Sequence, residues 1–157
     1  MPTTERLREL LAYDAETGTF RWRVRRSSNA NAGSIAGTVS HGYIAITIDG
    51  VTFHAHRLAW LYVHGEYPSQ PIDHVNGRRD DNRIANLRLA SSSINNQNRR
   101  TAHAASGLLG AYPFKGRWKS SICVDRKQIH LGVFDTADAA HSAYVTAKRQ
   151  LHPGCTI

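Results

Sequence analysis

Apolar positions along the chain recur with two different periods, and the period marks the elements. In residues 4–12, Leu7, Leu10 and Leu11 fall at the i, i+3, i+4 spacing of one buried helical stripe. Residues 13–18 then read as a turn. Residues 19–25 switch to strict alternation, with Phe20, Trp22 and Val24 on one face and Arg21, Arg23 and Arg25 on the other. That pattern predicts a half-buried strand with a cationic outer face. Small polar residues predict a loop over 27–33. Strands near 42–48 and 51–53 flank Asp49-Gly50, a strong two-residue hairpin signal.

Ala55, Leu58, Ala59 and Tyr62 return to helical spacing, predicting a helix over 54–64 that Gly65 can stop. Residues 72–75 and 87–89 read as short strands, separated by an Asn76-Gly77 turn and a polar loop over 78–85. Ser91, Ser92 and Ser93 can cap a helix running to about Asn98. Residues 101–107, TAHAASG, are small and mostly polar and mark the best domain boundary. Three further strands are expected at 109–114, 118–124 and 128–134, and a helix at 136–151. Ala139, Ala140, Ala143, Tyr144, Ala147 and Leu151 form that helix's stripe, and so many alanines suggest close packing of helix on sheet. The fold class expected is α+β.

A length of 157 residues admits one domain or two very small ones. Hydrophobic residues at 41% and charged residues at 20% exclude a wholly disordered chain. No apolar run approaches the ~20 residues of a membrane span. MPTTERLREL lacks the apolar core of a signal peptide, so a cytoplasmic, non-secreted protein is expected. Cys123 and Cys155 allow at most one disulfide and are too few for a Cys-rich zinc site.

Charge changes the picture more. The net charge is +8 and the pI near 10.0. Residues 99–157 hold nine Lys/Arg against Asp125, Asp135 and Asp138, whereas residues 1–98 hold eleven against nine acids. A basic half of this kind fits a polyanion partner, because each neutralised phosphate releases condensed counterions. A surface kept basic for solubility has the same composition.

Candidate chemistry concentrates in IDHVNG (72–77), DNR (81–83), NLRL (86–89) and NNQN (95–98). Asp73 supplies a hard oxygen, and His74 a nitrogen base beside it. Adjacent strand residues point to opposite faces, so one can bind metal while the other faces substrate. An amide oxygen of Asn95 or Asn98 could complete a set of oxygens, which favours Mg²⁺, Mn²⁺ or Ca²⁺ over zinc. Asp-His beside Asn-Gly is also common turn composition, and Asn-rich helix starts are often only caps.

HRLAW (56–60), IDHVNG, DNR, NLRLA (86–90) and SINNQN (93–98) together resemble an HNH endonuclease. The branch is that of phages and introns, in which the motif's last histidine is an asparagine. The resemblance implies a ββα-metal (His-Me) finger over about 54–100 behind a β-rich leader, 1–53. The leader is similar too, in Tyr13-Asp14, Thr17-Gly18, Trp22 and Gly42-Tyr43. By this resemblance Asp73 ligates one Mg²⁺ or Mn²⁺ and His74 is the general base. Asn86 pins the loop and orients the base, and Asn95, with Asn98 as the other choice, is the second ligand. Arg78, Arg79 and Arg83, with Arg99 and Arg100 after the motif, are candidate phosphate clamps. His54, His56 and His64 read as structural or phosphate-facing.

Gly110-Ala111-Tyr112, Arg117-Trp118, His130-Leu131-Gly132-Val133-Phe134, Thr136, Ala139-Ala140 and Ala143-Tyr144 resemble the DNA-binding domain of plant APETALA-type and ethylene-response factors. This implies a linker at 101–106 and a domain at 107–157, a three-stranded antiparallel sheet packed on one helix. Arg117, Trp118, Lys119, Arg126 and Lys127 are its candidate DNA contacts, with a core aromatic as the other reading of Trp118. The expected whole is a homing or phage-type endonuclease, monomeric or homodimeric, that nicks or cuts double-stranded DNA in a bacterial or phage-infected cell. The alternatives are a non-catalytic DNA-binding protein, such as a transcription factor, and an RNA-processing nuclease.

Overall fold

The computed structural model describes residues 1–28, 30–98, 102 and 106–156, which form an α+β fold in two compact units, 1–91 and 92–157. In the first unit, Thr3 caps α1 (Thr4–Leu10), its hydroxyl accepting the Arg6 N–H at 3.1 Å. The helix ends two residues earlier than the leucine spacing predicts. Leu11 instead opens β1 (Leu11–Asp14), which pairs antiparallel with β2 (Thr19–Trp22). Leu7, Leu10 and Leu11 are nevertheless all buried. The helical stripe and the first strand position supply the same core, so the spacing alone does not separate them. β2 stops at Trp22, and Val24 is exposed rather than continuing the apolar face of Phe20 and Trp22.

β3 (Thr38–Ser40), β4 (Tyr43–Ile48) and β5 (Val51–His54) form one antiparallel sheet. Asp49 and Gly50 both take positive φ, 47° and 82°, the primed turn that matches strand twist. The pattern of hydrophobic residues does not show β3, whose three residues are all exposed. α2 (Ala55–His64) follows at once and ends on Gly65 at φ 78°. It buries Leu58, Ala59 and Leu61 against Leu7, Leu10, Leu11, Phe20, Trp22, Ile46 and Ile48, and this cluster is the core of the unit. β6 (Ile72–His74) pairs antiparallel with β7 (Leu87–Leu89), joined by a loop that ends in a short 3-10 turn, Ile84–Asn86.

The second unit opens with α3 (Ser92–Gln97). Gly154 donates its N–H to Gln97 Oε1 at 3.0 Å, and the Thr156 hydroxyl donates to Asn98 Oδ1. β8 (Ala111–Phe114), β9 (Arg117–Val124) and β10 (Lys127–Phe134) make an antiparallel sheet with β9 in the middle. α4 (Ala137–Leu151) packs on it, capped by Thr136. Gly110 is required there: at φ 71°, a Cβ would lie 2.0 Å from the Tyr144 ring. The α4 stripe is rotated from the expected one. Ala140, Ala147 and Lys148 are buried, while Ala139 and Leu151 are exposed.

Candidate active site and nucleic-acid surface

Asp73 and His74 sit next to each other on β6, opposite Arg88 and Leu87 of β7, and both are buried. Consecutive strand positions send them to opposite faces. On one face, Arg88 donates from Nε (2.9 Å) and Nη2 (2.7 Å) to Asp73 Oδ2. On the other, the His74 ring stands edge-on to His56, 5.1 Å between centroids. His56 in turn stacks on His54 at 5.4 Å, and Tyr43 lies 5.0–6.1 Å from all three imidazoles. The Arg79 guanidinium lies 5.1 Å over the Tyr43 ring.

Burial disfavours imidazolium in this cluster. It lowers the pKa of His74 from its ordinary value, and desolvation outweighs the opposing pull of Asn82, Asp73, Asp81 and Asp80. His56 is pushed down to about 3, first by burial and then by neighbouring His74, His54 and Arg57. His74 therefore carries the neutral, proton-accepting imidazole through neutral pH.

The loop after β6 is tied from within. Asn86, buried at its far end, accepts the Asn76 N–H at 2.9 Å and donates from Nδ2 to the Asp81 carbonyl at 2.8 Å. Asp81 accepts from Asn76 Nδ2 (2.6 Å) and from Arg83 Nε and Nη2 (2.8 and 2.6 Å). These bonds, Arg83's foremost, hold the Asp81 carboxyl near pKa 2. Asn82 is 2% exposed and sets its Oδ1 3.5 Å from His74 Nε2. The sequence places DNR and HRLAW among the motif blocks but assigns Asn82 no role and leaves His56 structural or phosphate-facing. Nothing local in the sequence says that either side chain faces His74.

The ligand candidates fall in both units. Asp73 offers a buried carboxylate. In α3, Asn95 Oδ1 is buried with no hydrogen-bond partner, whereas Asn98 Oδ1 accepts from Thr156 and Asn96 is exposed. An orphaned amide oxygen of this kind fits a ligand to a hard cation. Among the described residues no group of three or more His, Cys, Asp or Glu is arranged to hold a metal ion.

The basic candidates divide by surroundings. Arg78 is exposed beside Asp80, and Arg83 is committed to Asp81. Arg99 and Arg100 lie outside the described residues. Arg117 reaches Asp135 at 2.8 Å. Trp118, open in the sequence between DNA contact and core aromatic, pairs with Pro113 and Phe134 and shares the strand face of buried Ser120 and Ile122. Alternation puts Arg117 and Lys119 on the other face, with Tyr112 and Phe114. Lys115 and Lys119 each place Nζ 5.7 Å from the Phe114 ring centre. Arg126 and Lys127 are exposed where β9 turns into β10, Arg126 at φ 66°.

Residues 53–97 match the HNH endonuclease family. That span includes His56, Asp73, His74, Asn82, Asn86 and Asn95. Comparison with curated proteins and with solved structures gives no match.

Proposed function

We propose that this chain is a divalent-metal-dependent HNH endonuclease that hydrolyses phosphodiester bonds in double-stranded DNA. The observation that carries the reading is the Asp73-His74 pair. Inside the span matching the family, the two side chains are buried back to back, with the imidazole held neutral by burial. Hydrolysis needs an attacking water in line with the leaving 3′-oxygen and a base for the proton that water gives up. His74 accepts that proton and becomes imidazolium, which the nearby Asp80 and Asp81 favour. Asn86 keeps the loop closed so that the base does not wander. Asp73 and Asn95 would hold one Mg²⁺ or Mn²⁺, which when bound supplies charge stabilisation at the scissile phosphate and the leaving oxygen. Residues 107–157 serve as the APETALA-type reading module, and Lys119, Arg126 and Lys127 are its outward cations. One such site per chain cuts one strand per event, in keeping with a homing or phage-type enzyme.

The test is incubation with supercoiled plasmid in Mg²⁺, in EDTA, and with His74→Ala. Nicking is expected in Mg²⁺ and none in EDTA. His74→Ala should lose about 10²–10⁴ in rate while binding DNA as before. Undiminished cutting in EDTA, or a variant as fast as the parent, would overturn the proposal.

A further inference from the structure

Of the arginines on β6's partner strand and on the loop between them, three are paired with carboxylates. Arg78 reaches Asp80 at 3.5 Å, Arg83 reaches Asp81 at 2.6 Å and Arg88 reaches Asp73 at 2.7 Å. Arg79 differs. Among the described residues no carboxylate lies within ion-pair reach of it, and Asp80, its neighbour in the chain, is turned to Arg78.

Exposed as it is, Arg79 is laid against the β3–β4 turn. Its stem passes Gly42, where an added Cβ would come 3.8 Å from Arg79 Cδ, an ordinary contact distance. Its guanidinium carbon lies 5.1 Å over the centre of the half-buried Tyr43 ring. An aromatic face attracts the guanidinium through the ring quadrupole and leaves the N–H groups in its plane free to donate elsewhere.

The surroundings suit an anion. Tyr43 is 5.0 Å from the His54 ring and 6.1 Å from the His74 ring, centre to centre. While Ile44, Ile46 and Ile48 turn to the core, Ser40, Tyr43, Thr47, Thr52 and His54 share the opposite face of the β3–β4–β5 sheet. That face carries hydroxyls and an imidazole and no acid.

We infer that Arg79 grips a non-reacting backbone phosphate of the bound duplex close to the scissile one, and that Tyr43 is the positioning residue that holds Arg79 for it. The inference takes its substrate from the nuclease reading, but the grip is measured on uncut DNA without metal. Arg79 offers a planar fork that matches two phosphate oxygens at once. A fork already resting on a ring has less freedom to lose when the phosphate arrives.

The experiment is fluorescence anisotropy of the full chain with a labelled duplex in EDTA across a salt series, followed by cleavage kinetics in Mg²⁺. Arg79→Ala should weaken binding and lower the slope of log affinity against log salt by about 0.9, the share of one phosphate. Arg79→Lys keeps the charge and should keep the slope, while still binding less tightly because fork and stacking are lost. Tyr43→Leu changes no charge and should weaken binding about 2–5-fold, the size of a cation–π contact at an exposed site. On an Arg79→Ala background the same change should cost nothing further, and Tyr43→Phe should restore the parental affinity. In cleavage, the Arg79→Ala loss should fall on KM, as for contacts made equally before and during reaction.

An Arg79→Ala variant with parental affinity and slope would overturn the grip, as would a loss confined to kcat. A Tyr43→Leu loss that persists in full without Arg79 would overturn the positioning role. Arg79 is an exposed side chain, so its variants decide the grip even if Tyr43→Leu fails to fold. A wild type that binds with this slope and never cuts would remove the nuclease reading and leave the grip standing.

Discussion

Asp73, His74, Asn82 and Asn86 in residues 1–91 are all buried, and each has its neighbours specified. Lys119, Arg126 and Lys127 in residues 92–157 lie on an outward strand face and in a turn. The first region gives up stability to hold polar groups in one geometry. The second leaves Arg126 and Lys127 exposed and adjustable, with Lys119 half-buried beside Phe114. Proton transfer needs the first arrangement because atoms must meet within a fraction of an ångström. A grip on phosphates needs the second, because its gain is counterion release.

The strongest way to break this comparison is at Asp73. Asp73→Asn retains shape and should retain the fold, but removes the carboxylate charge. Cleavage should fall by about 10²–10³ or more, the several kcal/mol a catalytic metal contributes. The same gel assay with a Mg²⁺ titration checks this, and parental activity at every Mg²⁺ level would show that Asp73 holds no ion.

A smaller effect is expected on the outward face. Replacing both Lys119 and Lys127 with Ala should weaken binding and flatten the plot of log affinity against log salt by about 0.9 for each phosphate left unneutralised. The cleavage rate at saturating DNA should be unchanged. Fluorescence anisotropy across a salt series measures the slope, and an unchanged slope would exclude this face as the DNA grip.

The smallest effect is on stability. His56 titrates near 3 in the folded protein and about 6.5 unfolded, so between those values the unfolded chain binds the extra proton. Its contribution to stability is complete above pH 6.5 and is lost as pH falls through that window, at about 1.4 kcal/mol per unit. Urea denaturation at pH 7.5, 6 and 5 should show a shallower fall for His56→Leu. Parallel curves would mean that His56 is not buried as a neutral ring.

The elements with a strict period were legible in the sequence. β4 and β5 around Asp49-Gly50, α2 with its Gly65 stop, the β6–β7 pair and the β8–β9–β10 sheet all lie within a few residues of the expected bounds. β3 was not, because three exposed residues carry no alternation. Asp73, His74 and Asn86 could be named as candidates because their spacing is local, and all three are buried in the structure. Asn82 was not: its backbone is held by Tyr13, 69 positions away, and no periodic signal spans that separation. Trp118 stayed open between DNA contact and core aromatic because an Arg-Trp-Lys run does not show which face the ring takes, whereas the register puts it on the face of Ser120 and Ile122.

The anchoring of α3 has a consequence for the order in which the chain is made. A six-residue helix does not hold itself in water. Here it leans on Gly154 and Thr156, synthesised 57 and 58 positions after their partners. At bacterial and eukaryotic elongation rates that is a gap of about 3–11 s. The β6–β7 hairpin, with Asp73 and His74, therefore leaves the ribosome well before the segment that bonds Gln97 and Asn98 exists. The helix bearing the orphaned oxygen is among the last parts of this protein to settle.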